Sequence, residues 1–179
     1  ENGFVTVEGT GIVPTPTAVT GTGEGSVDTS VDVISDPGAC ILLDTNAVSF
    51  GQETFSTQNS AQLGLAQLTV TSCSLTTSLD LLAKGTNAAG PTAAWTLTDP
   101  PGSGNMCDNG GGGIDQYGQR VQTNDGQQGT ELALTNRTYM TGLGQSVAQP
   151  TDILLRMPCI GSSGTGETVS STITFTAIP

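Results

Sequence analysis

The sequence predicts an all-β fold, an antiparallel sandwich or barrel, and three observations carry that expectation. Short stretches of alternating apolar and polar residues recur between turn residues along the 179 positions. Thr, Ser, Val and 25 Gly favour strands and tight turns, and 11% charged against 35% apolar residues is the wrong balance for disorder. No stretch sustains a 3.6-residue period with caps, and the connections are too short for βαβ crossovers, so antiparallel pairing is expected.

Taken in order, "FVTV" (4–7) opens a first strand over residues 4–13. Val5, Val7 and Val13 share one face with Gly9 and Gly11, while Phe4 and Ile12 share the other with Thr6, Glu8 and Thr10. "PTPTAVTGTGEG" (14–25) is a spacer, stiff where Pro and Thr dominate and looser where Gly does. "SVDTSVDVI" (26–34) sets Val27, Thr29, Val31 and Val33 on one face. "ACILLDTNAVSFG" (39–51) carries one strand beside Cys40 and a short second one through Val48 and Phe50. A helical turn near "NSAQLGLAQL" (59–68) is weakened by its central Gly64. "AQLTVTSCS" (66–74) alternates Leu68, Val70 and Ser72.

"LDLLAKG" (79–85) and "AAWTLTD" (93–99) follow, and the single Trp95 is expected in the core between sheets. "DPPGSGNMCDNGGGGIDQYGQ" (99–119) is read as a loop, being too rich in Gly and Pro for a regular strand. "TELALTN" (130–136), "DILLRMP" (152–158) and "SSTITFTAI" (170–178) complete a set of roughly eight to ten strands. Residues 1–25 are therefore expected as a strand plus spacer, and residues 26–179 as one domain.

The net charge is -12, from 4 Lys plus Arg against 16 Asp plus Glu. Nucleic acid and anionic membrane surfaces are poor partners for such a chain, since both must be met with cations. No run of 18 apolar residues marks a membrane span. Cys40, Cys73, Cys107 and Cys159 form no Cys-x-x-Cys pair, and there is no His, which argues against zinc. Two disulfides, with three connectivities open, are the expected use, and they point outside the cytoplasm. A start at Glu1 fits a chain whose signal peptide has been removed.

Without His there is no Ser-His-Asp triad. Asp108, Asp115, Asp125 and Glu131 are candidate glycosidase carboxylates, but seven aromatic residues (4 Phe, 1 Trp, 2 Tyr) are few for a sugar cleft, and the acids read as solvated loop residues. Asp108, Asn109 and Asp115 with backbone carbonyls are oxygen ligands suited to Ca²⁺, yet their spacing matches no EF-hand. No enzyme, metal or cofactor is expected. Asn136 heads the sequon "NRT" and is a weak glycosylation candidate. Lys84, the single lysine, reads as an exposed residue beside a Gly turn rather than the partner of a covalent side-chain bond.

The stretch "ACILLDTNAVSFGQETFSTQNSAQLGLAQLTVTSCS", with "LDLLAKG" after it, resembles the spore coat U type domain of pilin subunits assembled by the chaperone–usher route. The likeness covers residues 39–85 and, more loosely, "GSSGTGETVSSTITFTAI" near the C-terminus. The resemblance implies an immunoglobulin-like or jelly-roll β-sandwich with an N-terminal extension strand. It also implies a Cys40–Cys73 disulfide, which leaves Cys107 for Cys159.

What the resemblance implies about function is a structural subunit of an extracellular pilus or biofilm fibre. Its N-terminal strand, carried here by Phe4, Val5, Val7, Gly9, Gly11, Ile12 and Val13, is then donated to the neighbouring copy, and β-augmentation supplies the pairing. Such a contact runs head-to-tail and builds a homopolymer, with host or surface ligands as further partners. The alternative is a monomeric secreted adhesin-type β-sandwich that binds glycan or protein through residues 99–119.

Overall fold

The computed structural model describes residues 24–35, 39–55, 64–75, 77–98, 114–123 and 129–179. These residues form twelve strands and no helix. In chain order they are β1 (Glu24–Ser35), β2 (Ile41–Leu43), β3 (Ala47–Thr54), β4 (Gly64–Ser72), β5 (Leu79–Gly85) and β6 (Ala88–Ala89). The second half holds β7 (Ala94–Leu97), β8 (Gln116–Thr123), β9 (Thr130–Glu131), β10 (Arg137–Leu143), β11 (Ala148–Arg156) and β12 (Thr168–Ile178).

All twelve belong to one curled, mixed sheet. One arm runs β3-β1-β12-β5-β10 and the other β9-β8-β11-β4-β2. The short strands β6 and β7 join the arms, β6 to β12 and β7 to β8. The antiparallel expectation fails at two places. β1 runs parallel to β12, and β7 runs parallel to β8. No hairpin constrains either pair. β1 and β12 stand at opposite ends of the described chain, and the whole body between them acts as the crossover.

Four local expectations also change. β4 begins at Gly64, so residues 64–68 are strand and not helix. The loop expected over 99–119 gives way to β8 at Gln116. The strand expected over 130–136 shrinks to β9, after which Leu132 is buried and Leu134 exposed. β10, which has no clear apolar alternation, was not expected.

Where the alternation is clear, it points one row of side chains inward. Leu79, Leu81 and Ala83 of β5 are buried, as are Val169, Ile173, Phe175 and Ala177 of β12. They meet Ile153 and Leu155 of β11 and Tyr117 and Val121 of β8 in a single core. Each large side chain so buried contributes about 1.5–3 kcal/mol by removal from water. Trp95 lies in this core, edge-on to Phe55 at 5.8 Å and tilted against Tyr117 at 6.3 Å. Its indole N–H donates to the Ser163 carbonyl at 2.9 Å, so its polar edge is satisfied.

Cys40 and Cys73 form a disulfide that clips the start of β2 to the end of β4. The Cys73 N–H also donates to the Cys40 carbonyl at 2.9 Å. Cys159 is disulfide-bonded as well, and Cys107 lies outside the described residues.

Two stability predictions follow from this packing. Trp95→Ala empties the centre of the core and is expected to cost about 3–5 kcal/mol, read as a fall in the urea midpoint. Replacing Cys40 and Cys73 together by Ser opens a loop with a sequence separation of 33. That change is expected to cost about 3–4 kcal/mol by the chain-entropy relation, measured by the same denaturation.

Candidate functional site

The described residues hold no cluster of metal-ligating side chains and no helix long and apolar enough to cross a membrane. An open hollow of about 390 Å³ lies beside Asp44, Thr45, Ser49 and Gln67. The feature that calls for a functional account is the seat of β1.

β1 is the first described strand, yet it lies inside its arm. On one side it pairs with β12 at ten consecutive positions, from Ser26 opposite Thr168 to Ser35 opposite Ala177. On the other it pairs with β3 at six positions, with a bulge between Ser26 and Asp28, and the Val31 N–H continues the contact to the Asn46 carbonyl at 2.9 Å. Among the described residues β3 has no other sheet partner. Without β1, β12 would bare one edge and β3 would lose its whole ladder.

The floor of the seat is polar. Thr29 of β1 is 0% exposed, and its Oγ1 lies 3.0 Å from Ser171 Oγ of β12. Gln119 of β8 crosses from the other arm, and its Nε2 donates to Thr29 Oγ1 at 3.0 Å and to Ser171 Oγ at 3.2 Å. Gln119 is 1% exposed, and its Oε1 has no hydrogen-bond partner. Val31 lies next along β1, buried against the core. On the outer face Ser30 Oγ meets Thr172 Oγ1 at 2.8 Å.

Carboxylates brace the joint between the arms. Glu167, before β12, accepts from Thr92 Oγ1 at 2.5 Å, Thr92 N–H at 3.0 Å and Ala93 N–H at 3.2 Å. Asp115 accepts from Ser163 N–H and Ser163 Oγ, both at 2.7 Å, and its own N–H donates to Ser162 Oγ. Gly164 has φ +86°, and a Cβ there would lie 2.5 Å from Ala93 Cβ, so only Gly lets this loop close on the turn before β7. The Thr92 hydroxyl and backbone N–H hold the Glu167 carboxyl below its ordinary value of 4.5. The Thr69 N–H likewise holds Asp44 below 3.8. Burial pushes Glu53 the other way.

Two of the acids considered for hydrolysis lie among the described residues, and both are engaged by other groups. Asp115 is engaged by Ser163, and Glu131 is ion-paired with Arg120. Asp108, Asn109 and Asp125 lie outside the described residues, as do Phe4, Val5, Val7, Gly9, Gly11, Ile12 and Val13. Asn136 is exposed between β9 and β10. Lys84 is half-buried on β5, opposite Thr174. Gln119 and Ser171 were missed as site residues. Their signal is an isolated polar residue in an otherwise apolar inward row: Gln119 between Tyr117 and Val121, and Ser171 between Val169 and Ile173. No protein-family model and no curated protein matches this chain.

Asp44 and Glu167 have folded-state pKa values below their unfolded ones, so their contribution is present above those unfolded values and is lost as pH falls through the folded ones. Glu53 has the opposite sign, and its desolvation cost is relieved on protonation. Glu167→Gln is therefore expected to lower the Tm at pH 7, with a loss of stability under about 1 kcal/mol because the group is only partly buried. The gap to the unaltered protein is expected to close below about pH 4, as followed by thermal melts from pH 7 to pH 3.

Proposed function

We propose that this protein is a structural subunit of an extracellular fibre or pilus, an incomplete immunoglobulin-like or jelly-roll sandwich that polymerises head-to-tail. The segment that crosses to the neighbour is N-terminal, and its partners are copies of itself. The observation that carries the reading is the seat of β1: the first described strand fills a place between β3 and β12 that no other described strand occupies. A strand of that kind is exchangeable. The same ladder forms whether it is filled from its own chain or from the next, so exchange costs little in contacts and builds an open chain of subunits. The Cys40–Cys73 disulfide supports an oxidising, extracellular setting.

Two N-terminal segments compete for the role of donor, residues 4–13 and β1. Electron microscopy and gel filtration of the full chain, beside a variant lacking residues 1–13, test the reading. Fibres from the full chain, resistant to SDS, are expected. Their loss in the truncated variant assigns donation to residues 4–13, and their survival assigns it to β1. A full-length chain that stays a folded 18.0 kDa monomer overturns the fibre reading. It would direct attention to an adhesin-type role for residues 99–119.

A further inference from the structure

We infer that the buried Thr29–Ser171–Gln119 cluster is a lock that selects which strand fills the seat between β3 and β12, and that the strand it selects is β1 of this chain, in this register. As a statement about assembly it rests on the proposed fibre reading, and the occupant is then β1 of a second copy.

The argument begins with cost. Gln119 sits in the core between Tyr117 and Val121, both fully buried, where an amide is costly unless its hydrogen bonds are made. Its amide is held by two hydroxyls alone, one on β12 and one on β1. Ser171 stays with the body. Thr29 arrives with the strand. A strand that brings no hydroxyl leaves Gln119 with one partner and Ser171 without its Thr contact, both out of reach of water. Buried polar groups of this kind penalise wrong pairings more than they strengthen the right one.

The sequence of β1 makes the lock a register device. Thr29 and Val31 are buried on β1, and among the alternate positions Val27, Thr29, Val31 and Val33 of its sequence Thr29 carries the single hydroxyl. A slip of two residues sets a Val against Gln119. A slip of one turns the other row inward and puts Asp28 or Ser30 there, and an inward Asp28 would bury a carboxylate. The same test separates the two candidate donors. The Val5, Val7, Gly9, Gly11, Val13 face of residues 4–13 offers no hydroxyl, and its other face sets Glu8 between Thr6 and Thr10. Neither matches the Val-Thr-Val row of β1.

The experiment uses full-length chains assembled from mixtures. Unaltered chains and fluorescently tagged Thr29→Val chains are mixed in equal amounts, and the variant fraction in the fibres is measured. Thr29→Val keeps the side-chain shape and removes the hydroxyl. It is expected to enter fibres of unaltered protein about tenfold less than tagged unaltered protein does, from the cost of stranded polar groups. Chains carrying Gln119→Leu are expected to accept Thr29→Val strands as readily as unaltered ones, because no buried amide is then left short of a partner. Equal incorporation of Thr29→Val into unaltered fibres overturns the lock.

If unaltered protein forms no fibres, the fibre reading fails and the lock is judged within one chain. There Thr29→Val and Gln119→Leu must each lower the Tm, and the double variant must recover most of the loss. Simple additivity of the two overturns the lock in that setting too.

Discussion

The two-sided pairing of β1 is the constraint on which the rest of this structure depends. β12 supplies Val169, Ile173, Phe175 and Ala177 to the core, and that row stays dry only while β12 is covered along both edges. β5 covers one edge by antiparallel pairing, and β1 covers the other. β3 then depends on β1 in turn, and with it Val48 and Phe50 hold their inward positions. One strand therefore carries two interfaces. Its contacts join residues about 142 positions apart, so the loop-closure cost is high and this docking is expected late in folding. A contact that forms late and spans the chain is also one that a second chain can supply.

The remaining stabilisation is of a kind suited to a chain with few cations. Among the described residues one side-chain ion pair, Arg120 with Glu131, is found. The acids instead accept from hydroxyls and backbone N–H groups, as Glu167 does at the turn before β7 and Asp115 does at Ser163. These bonds need no partner charge, so a net charge of -12 is tolerated. The Cys40–Cys73 disulfide fixes β2 to β4, so the proposed exchange of β1 would leave that part of the body clipped.

Much of the strand content was legible because alternation is a direct consequence of burial on one face. Thr29 and Val31 of the 26–34 run, Leu68 and Val70, and Ile173, Phe175 and Ala177 all point inward as the pattern requires. Val33 does not, at 39% exposed, because the register with β3 ends at Ser30 and β1 beyond it has a neighbour on one side only. β8 was hidden by the Gly-rich run before it and by the polar residues within its inward row. Gln119 looks like a surface residue until Thr29 and Ser171 are placed beside it. Parallel pairing of β1 with β12 was beyond local pattern, since it is decided by which distant edge is left uncovered. The site was legible in part: an N-terminal strand held the interest, but the seat itself is a tertiary feature.

The most direct measurement is solid-state NMR on fibres grown from an equal mixture of ¹³C-labelled and ¹⁵N-labelled chains. Only contacts between different copies give ¹⁵N–¹³C correlations in such a sample. The account predicts correlations linking residues 29–31 with residues 171–173, the positions that face each other across the β1–β12 pairing. Fibres that show these correlations only when every chain carries both labels would mean that each β1 stays in its own subunit, and strand exchange through this seat would be contradicted.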